Sequence, residues 1–206
     1  MDNKISNIDG MNSVERIIKR ILDIMGAFVG LILFSPLFLI IYLQIKMQGD
    51  GPAIFSQERI GKGGKSFLIY KFRTMVVDAE AEGAMLAKED DSRLTNVGRF
   101  LREHHLDELP QLWNVLIGDM SFVGYRPERK VFIDQIMEHN SDYKLLYVSR
   151  PGVTSYATLY NGYTDTMDKM LRRLDYDLEY LRRRSLILDA QILFKTFTSI
   201  VGGKVF

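Results

Sequence analysis

The 206-residue chain contains no cysteine. That absence excludes disulfide scaffolds, cysteine-ligated zinc or iron–sulfur centres, and thiol catalysis. Histidine is scarce too, with only His104, His105 and His139. A soft-ligand metal site is therefore disfavoured, and any metal is expected to be a hard, oxygen-bound ion such as Mg²⁺. There is no excess of one charge either: 27 basic residues against 26 acidic leave a formal net charge of +1. The whole-molecule field thus gives no case for a nucleic-acid partner, and any anion site has to be local. Repeats and low-complexity tracts are lacking. What remains is a folded composition, 47% hydrophobic and 26% charged, at a length suited to one domain of ordinary size. Residues 1–206 are read as that single domain.

Residues 24–42 (IMGAFVGLILFSPLFLIIY) carry no charged side chain. As a helix this run is about 28 Å long at 1.5 Å per residue, enough to span a bilayer. It is too long for a cleavable signal peptide and shows no small-x-small pattern before Lys46, so the mature protein is expected to keep it. Ser35-Pro36 lies in its middle, where proline removes a backbone donor and clashes with the preceding turn, so a kink or break is expected. Composition alone favours a kinked spanning helix. Charge favours a re-entrant hairpin: Arg16, Lys19 and Arg20 precede the run, Lys46, Arg59, Lys62 and Lys65 follow it, and the positive-inside rule places both flanks in the cytoplasm. A buried core helix is disfavoured, because nothing else in the chain is apolar enough to enclose it.

Beyond this run, IFSQERI and FLIYKFRTM read as two strands joined by the turn at residues 61–65, a hairpin with a basic tip. Gly64-Lys65-Ser66 is not a Walker loop, since the required earlier glycine is Arg59 and no strand-to-helix context surrounds it. Lys62 and Lys65 are solvated turn residues or contacts to anionic headgroups. Residues 78–91 are acidic and alanine-rich, which predicts a surface helix or lid. Helical spacing recurs over 127–147 and 165–184. Arg182-Arg183-Arg184 ahead of the apolar residues 187–197 fits either an amphipathic helix on an anionic membrane or a solvated charge cluster.

The most informative stretch is Leu106-Asp107-Glu108-Leu109-Pro110-Gln111-Leu112, followed by Gly118-Asp119-Met120-Ser121 and Tyr125-Arg126-Pro127-Glu128. Pro110 suits the first turn of a helix. Asp107 and Glu108 would then sit just before it, beside backbone N–H groups that also favour a phosphate, and two neighbouring carboxylates could share one target there. A carboxylate can attack phosphorus, and a second can take a proton or hold Mg²⁺ against a pyrophosphate. The plainer reading is that the pair caps a helix. Lys71, Arg73, Arg126 and Arg150 each lie at the end of an element, where a phosphate clamp is usually built, though each alone fits a surface or ion-paired residue.

Taken together, Phe55-Ser56-Gln57-Glu58-Arg59-Ile60-Gly61, Tyr70-Lys71-Phe72-Arg73-Thr74-Met75, the residues from Leu106 to Leu112, Gly118-Asp119-Met120-Ser121 and Arg126-Pro127-Glu128 resemble the ordered motif set of the bacterial sugar-transferase family, the monotopic phosphoglycosyl transferases. The resemblance implies an α+β, mainly helical fold: a re-entrant helix-break-helix over about 17–45, broken at Ser35 and Pro36, with 46–206 forming a cytoplasmic part that holds a β-hairpin and membrane-surface amphipathic helices. It also implies transfer of a phosphosugar from a UDP-sugar to polyprenyl phosphate at the cytoplasmic face of the bacterial inner membrane, releasing UMP. Asp107 would be the nucleophile and a Mg²⁺ ligand, and Glu108 the base. Lys71, Arg73, Arg126, Glu128 and Arg150 would serve the substrate phosphates. Membrane lipids are implied partners, nucleic acid is not, and nothing in the sequence sets whether a homodimer forms.

Three positions depart from the family pattern: His104-His105 where small polar residues are usual, Tyr125 where proline is usual, and the variant stretch Pro151 to Tyr156. They bear on sugar or nucleobase preference rather than on the reaction. Adjacent histidines do not face one ion from a regular element, which argues against a metal site at His104 and His105.

Overall fold

Pro36 breaks the apolar run where the sequence places the break. In the computed structural model, which describes residues 8–80, 83, 85, 91–162 and 164–202, the run forms helix α1 (Ser13–Leu33) and helix α2 (Ser35–Lys46), bent by 61°. Pro36 has no N–H to give the carbonyl of Ile32, one turn back. The Ser35 hydroxyl fills that gap, donating to it at 2.8 Å, so the Ile32 carbonyl keeps a donor across the break. Among the described residues no single helix is long and apolar enough to cross a membrane; only this bent pair is, by length and composition.

Helix α1 starts on a capping box, Asn12 Oδ1 accepting from Glu15 N–H at 2.9 Å and Glu15 Oε2 from Asn12 N–H at 3.1 Å. One face of it is docked. Gly26, Ala27 and Gly30 let Phe122 and Leu112 approach closely, and Asp23, buried, accepts from Ser121 Oγ and Phe122 N–H, both at 3.1 Å. The outer face leaves Ile17, Ile21, Met25, Phe28, Val29, Ile32 and Leu33 exposed.

Strands β1 (Ile54–Ile60) and β2 (Ser66–Phe72) form the antiparallel hairpin expected from the two strand-like runs and the turn between them, paired from Ile54↔Phe72 to Ile60↔Ser66 across a 3₁₀ tip at Lys62–Gly64. Then come α3 (Asn96–Glu103), a 3₁₀ turn at Leu106–Glu108, α4 (Gln111–Ile117), β3 (Ser121–Val123), α5 (Lys130–His139), a 3₁₀ segment at Ser141–Val148 and β4 (Gly152–Thr154). Helices α6 (Thr158–Asn161), α7 (Met167–Arg183) and α8 (Leu186–Val201) end the described chain. The architecture is α+β and mainly helical. Of the acidic stretch 78–91, residues 81, 82, 84 and 86–90 lie outside the described residues, so the expected helix or lid has no description here.

Two expectations change. The periodicity over 127–147 predicts one helix, but the chain divides at Asn140 (φ −148°, ψ 103°) into α5 and the 3₁₀ segment, which fold onto the same core. A second sheet, the parallel pair β3–β4 with Ser121↔Gly152 and Val123↔Thr154, has no counterpart in the sequence reading. The run Arg182-Arg183-Arg184 is also not one charge cluster: Arg184 is buried and pairs bidentately with Asp9 at 2.6 and 2.5 Å.

The largest core cluster gathers Phe132, Ile133, Ile136, Leu146, Met170, Leu174, Leu178 and Leu181 from α5, the 3₁₀ segment and α7. Inside it Tyr125 OH, Tyr143 OH and Asp177 Oδ1 have no hydrogen-bond partner among the described residues. Burial pushes the Asp177 carboxyl up to about 7, against the opposing pull of Arg173. The folded chain thus holds that proton more tightly than the unfolded one. Asp177 costs stability progressively as pH rises from the ordinary aspartate range through about 7. Asp177→Asn is expected to raise the melting temperature by about 2–6 °C at pH 8 and to leave it nearly unchanged at pH 4. Thermal melts at both pH values check this; an equal shift at each would exclude charge burial as the cause.

Candidate active site

Asp107 and Glu108 sit in the tight turn between α3 and α4. The turn is possible because His105 takes a left-handed conformation (φ 54°), the one non-glycine with positive φ among the described residues. The backbone donors at the start of α4 are used within the turn: Leu109, Leu112 and Trp113 N–H groups donate to Leu106, Leu109 and Pro110 carbonyls at 3.3, 3.1 and 3.0 Å. Pro110 is the residue before the helix rather than its first, with φ −61° suited to that entry.

Lys71 on β2 reaches the turn and donates to Glu108 Oε1 at 2.5 Å. Burial is the largest influence on both acids and raises each. On Asp107 it prevails, with the Glu108 charge adding to it, and holds the carboxyl above the usual range. On Glu108, Lys71 and Arg126 outweigh burial and hold the carboxyl below that range. The two neighbours therefore differ: Glu108 is a firmly ionised partner of Lys71, while Asp107, 6% exposed, has no ion-pair partner among the described residues. Desolvation with no tight pairing is how a carboxylate is kept nucleophilic.

Asn114 fixes this juxtaposition. It is fully buried in the middle of α4, accepts from Tyr70 N–H at 3.1 Å and donates to the Leu68 carbonyl at 2.7 Å, so it clamps α4 to β2 one residue from Lys71. Its signal in the sequence is a lone amide inside the apolar run Leu112-Trp113-Asn114-Val115-Leu116, which the motif reading did not use.

The dyad opens into a cavity of about 500 Å³. One wall is a single face of the hairpin, Phe55, Gln57, Arg59, Ile69, Lys71 and Arg73 at alternating positions. Its described lining holds eight lysines and arginines against four carboxylates, so a chain that is nearly neutral overall concentrates positive charge at one place, the condition for binding an anion there. Arg59, Arg129 and Arg173, which sequence reasoning did not assign to the site, belong to this lining.

The cavity brings together Lys71, Arg73, Asp107, Glu108, Arg126 and Glu128. Arg126 is exposed, and no described residue accepts a hydrogen bond from its side chain. Arg73 lines the cavity but donates to the Asp50 and Ile45 carbonyls at 2.8 and 3.5 Å, fastening the end of α2. Glu128 is buried; burial raises its carboxyl, but Arg173 at 2.7 Å and Arg59 at 3.4 Å outweigh it and hold it below the usual range. Being negative, it organises two arginines. Arg150 is not among the lining residues: its Nε donates to the Gly118 carbonyl at 2.7 Å, beside Arg20.

Among the described residues, no three acidic or histidine side chains gather into a metal cage. Asp107 and Glu108 offer hard carboxylate oxygens only. That donor set fits Mg²⁺, which is usually held by one or two carboxylates and completed by substrate phosphates and water, and does not fit zinc.

A family model described as bacterial sugar transferase matches residues 14–203, and the chain belongs to that family. Over 90% of its length it is 42% identical to UDP-N-acetylgalactosamine-undecaprenyl-phosphate N-acetylgalactosaminephosphotransferase of Aeromonas hydrophila, and over 90% it is 41% identical to UDP-glucose:undecaprenyl-phosphate glucose-1-phosphate transferase of Escherichia coli. It spans 44% and 40% of those proteins. A protein named as in Escherichia coli, from Caulobacter vibrioides, is 40% identical over 89% of the chain and is itself 69% covered.

Proposed function

We propose that this chain transfers a phosphosugar from a UDP-sugar to polyprenyl (undecaprenyl) phosphate, giving polyprenyl-diphosphate-sugar and UMP, the first membrane step of a bacterial glycan pathway. The observation that carries the reading is the buried Asp107 with no ion-pair partner among the described residues, beside a Lys71-paired Glu108, in a cation-rich cavity. In the first half-reaction an Asp107 carboxylate oxygen attacks the sugar-bearing phosphorus. The bond from that phosphorus to the bridging oxygen breaks, and UMP leaves with the electron pair. In the second, an oxygen of polyprenyl phosphate attacks the same phosphorus and the aspartyl–phosphorus bond breaks, restoring the carboxylate. Lys71 and Arg126 hold phosphoryl oxygens as charge shifts, and Glu108, once Lys71 is drawn from it to the phosphate, takes a proton from the incoming lipid phosphate. Asp107 would hold Mg²⁺ together with the pyrophosphate, and the ion, when bound, would supply charge neutralisation there.

Three features support membrane attachment through α1 and α2 as a re-entrant pair with the cavity on the cytoplasmic side: the 61° bend, the exposed apolar outer face of α1, and basic residues on both flanks. The exposed Ile187, Phe194, Phe197 and Val201 of α8 suit the same membrane surface.

The test is turnover in lipid nanodiscs with Mg²⁺, undecaprenyl phosphate and, separately, UDP-N-acetylgalactosamine, UDP-glucose and other UDP-sugars. UMP and a sugar-labelled lipid are expected in equal amounts with at least one donor; free phosphate, or UMP without lipid product, sinks the reading. Because the chain has no native cysteine, Ser13→Cys and Gln48→Cys can be labelled in the same preparation, and reaction from opposite faces rules out the re-entrant form.

A further inference from the structure

His105 is a residue whose backbone and side chain ask for different things. It follows the end of α3 in a left-handed conformation (φ 54°), where glycine is the default because it has no Cβ. The turn itself requires only backbone: His105 N–H donates to the Arg102 carbonyl at 3.1 Å, a bond glycine would make equally well. A bulky residue kept in a sparsely allowed conformation directly before the reacting carboxylates points to a use for its side chain. His105 lines the cavity with Asp107, Glu108, Lys71 and Arg126, and a charge on its imidazole would be felt by both carboxylates. Its neighbour His104 is placed differently: exposed, with Nδ1 facing the Phe100 carbonyl at 2.8 Å and its ring 4.2 Å from that of Phe100. Of the two histidines that depart from the family pattern, only His105 lines the cavity.

We propose that His105 is a substrate-binding residue whose imidazole donates an N–H to a phosphoryl oxygen of the group arriving at Asp107. The proposal rests on the transfer reading above. A ring nitrogen donates in both the neutral and the protonated imidazole, so the role needs no change of protonation. Two phosphates offer the same oxygen chemistry at Asp107, the diphosphate of the UDP-sugar and the terminal phosphate of the lipid.

The test uses the full chain in nanodiscs, with wild-type turnover measured first as the check on the transfer reading. His105→Gly relieves the backbone and deletes the donor, so stability and activity are expected to move in opposite directions. The melting temperature rises by about 2–4 °C, while kcat/KM falls about tenfold or more. His105→Asn tolerates the left-handed conformation and retains an N–H donor, so it recovers most of the lost kcat/KM. A higher KM for the UDP-sugar at saturating lipid assigns the contact to the nucleotide diphosphate; a higher KM for the lipid at saturating donor assigns it to the lipid phosphate. Calorimetric binding of the UDP-sugar without acceptor reads the first contact independently of turnover. Unchanged kinetics in His105→Gly overturns the proposal. So does a lower melting temperature with no recovery in His105→Asn, which would make the imidazole a strut of the turn.

Discussion

Asp107→Asn is expected to lower phosphosugar transfer by about 10⁴-fold or more, because an amide cannot serve as the attacking oxygen of a covalent mechanism. The substitution preserves side-chain shape and removes the charge of an acid that burial already disfavours in its ionised form, so the melting temperature should hold or rise. The decisive measurement is intact mass after incubation with UDP-sugar and Mg²⁺ but no lipid acceptor. Wild type should gain the mass of one phosphosugar, and Asp107→Asn none. Glu108→Gln should behave differently, still acquiring the adduct but releasing it to lipid about 10²-fold more slowly, as expected for loss of a general base. Equal adduct formation in wild type and Asp107→Asn would place the nucleophile elsewhere.

The second large effect is on stability. Arg173 and Glu128 pair at 2.7 Å with both side chains buried. Removing Arg173 leaves Glu128 in the core with only the longer Arg59 ion pair, at 3.4 Å, among the described residues, and breaking a buried pair typically costs about 3–5 kcal/mol. Arg173→Met is therefore expected to lower the melting temperature by about 6–20 °C in a chain of this length. Arg173→Met with Glu128→Leu should recover a substantial part of that loss, since the double change leaves no unpaired acid. If the double variant is no more stable than the single, the cost of Arg173→Met lies in packing rather than in the stranded carboxylate.

The contrast between Asp107 and Glu128 shows what the sequence could and could not convey about the site. The place of Asp107 in the cavity was legible from its short segment between elements, where neighbouring side chains can share a target. Glu128 lies in an equally recognisable motif, yet its partners Arg59 and Arg173 come from a strand and a helix far apart in the chain, and no local pattern announces them. Arg150 shows the reverse: its position at the end of an element resembles that of the other basic residues, but the Gly118 carbonyl holds it away from the cavity. The β-hairpin was legible because two strand-like runs flank a glycine-rich tip, and they pair over seven residues each. The β3–β4 pair was not, since each strand has three residues and a parallel partner across a long intervening segment leaves no periodicity to read. The break in the apolar run was legible from Pro36 alone; that Ser35 supplies the missing donor needed the geometry.

Helix α1 looks in the sequence like an anchor, a greasy segment that could be exchanged for another. Its inner face says otherwise. Arg20 donates to the Val115 and Leu116 carbonyls at 2.7 and 2.9 Å, closing the C-terminal end of the helix that follows the Asp107–Glu108 turn. Lys19 reaches Asp189 on α8, and Asp23 holds the β3 backbone. A fragment begun after Leu33 would lose Arg20, Lys19 and Asp23 and expose the faces they cover. Helix α1 is a beam of the same frame as the Asp107–Glu108 turn, so whatever surface holds α1 meets that turn at a height set by side-chain contacts rather than by the length of a tether.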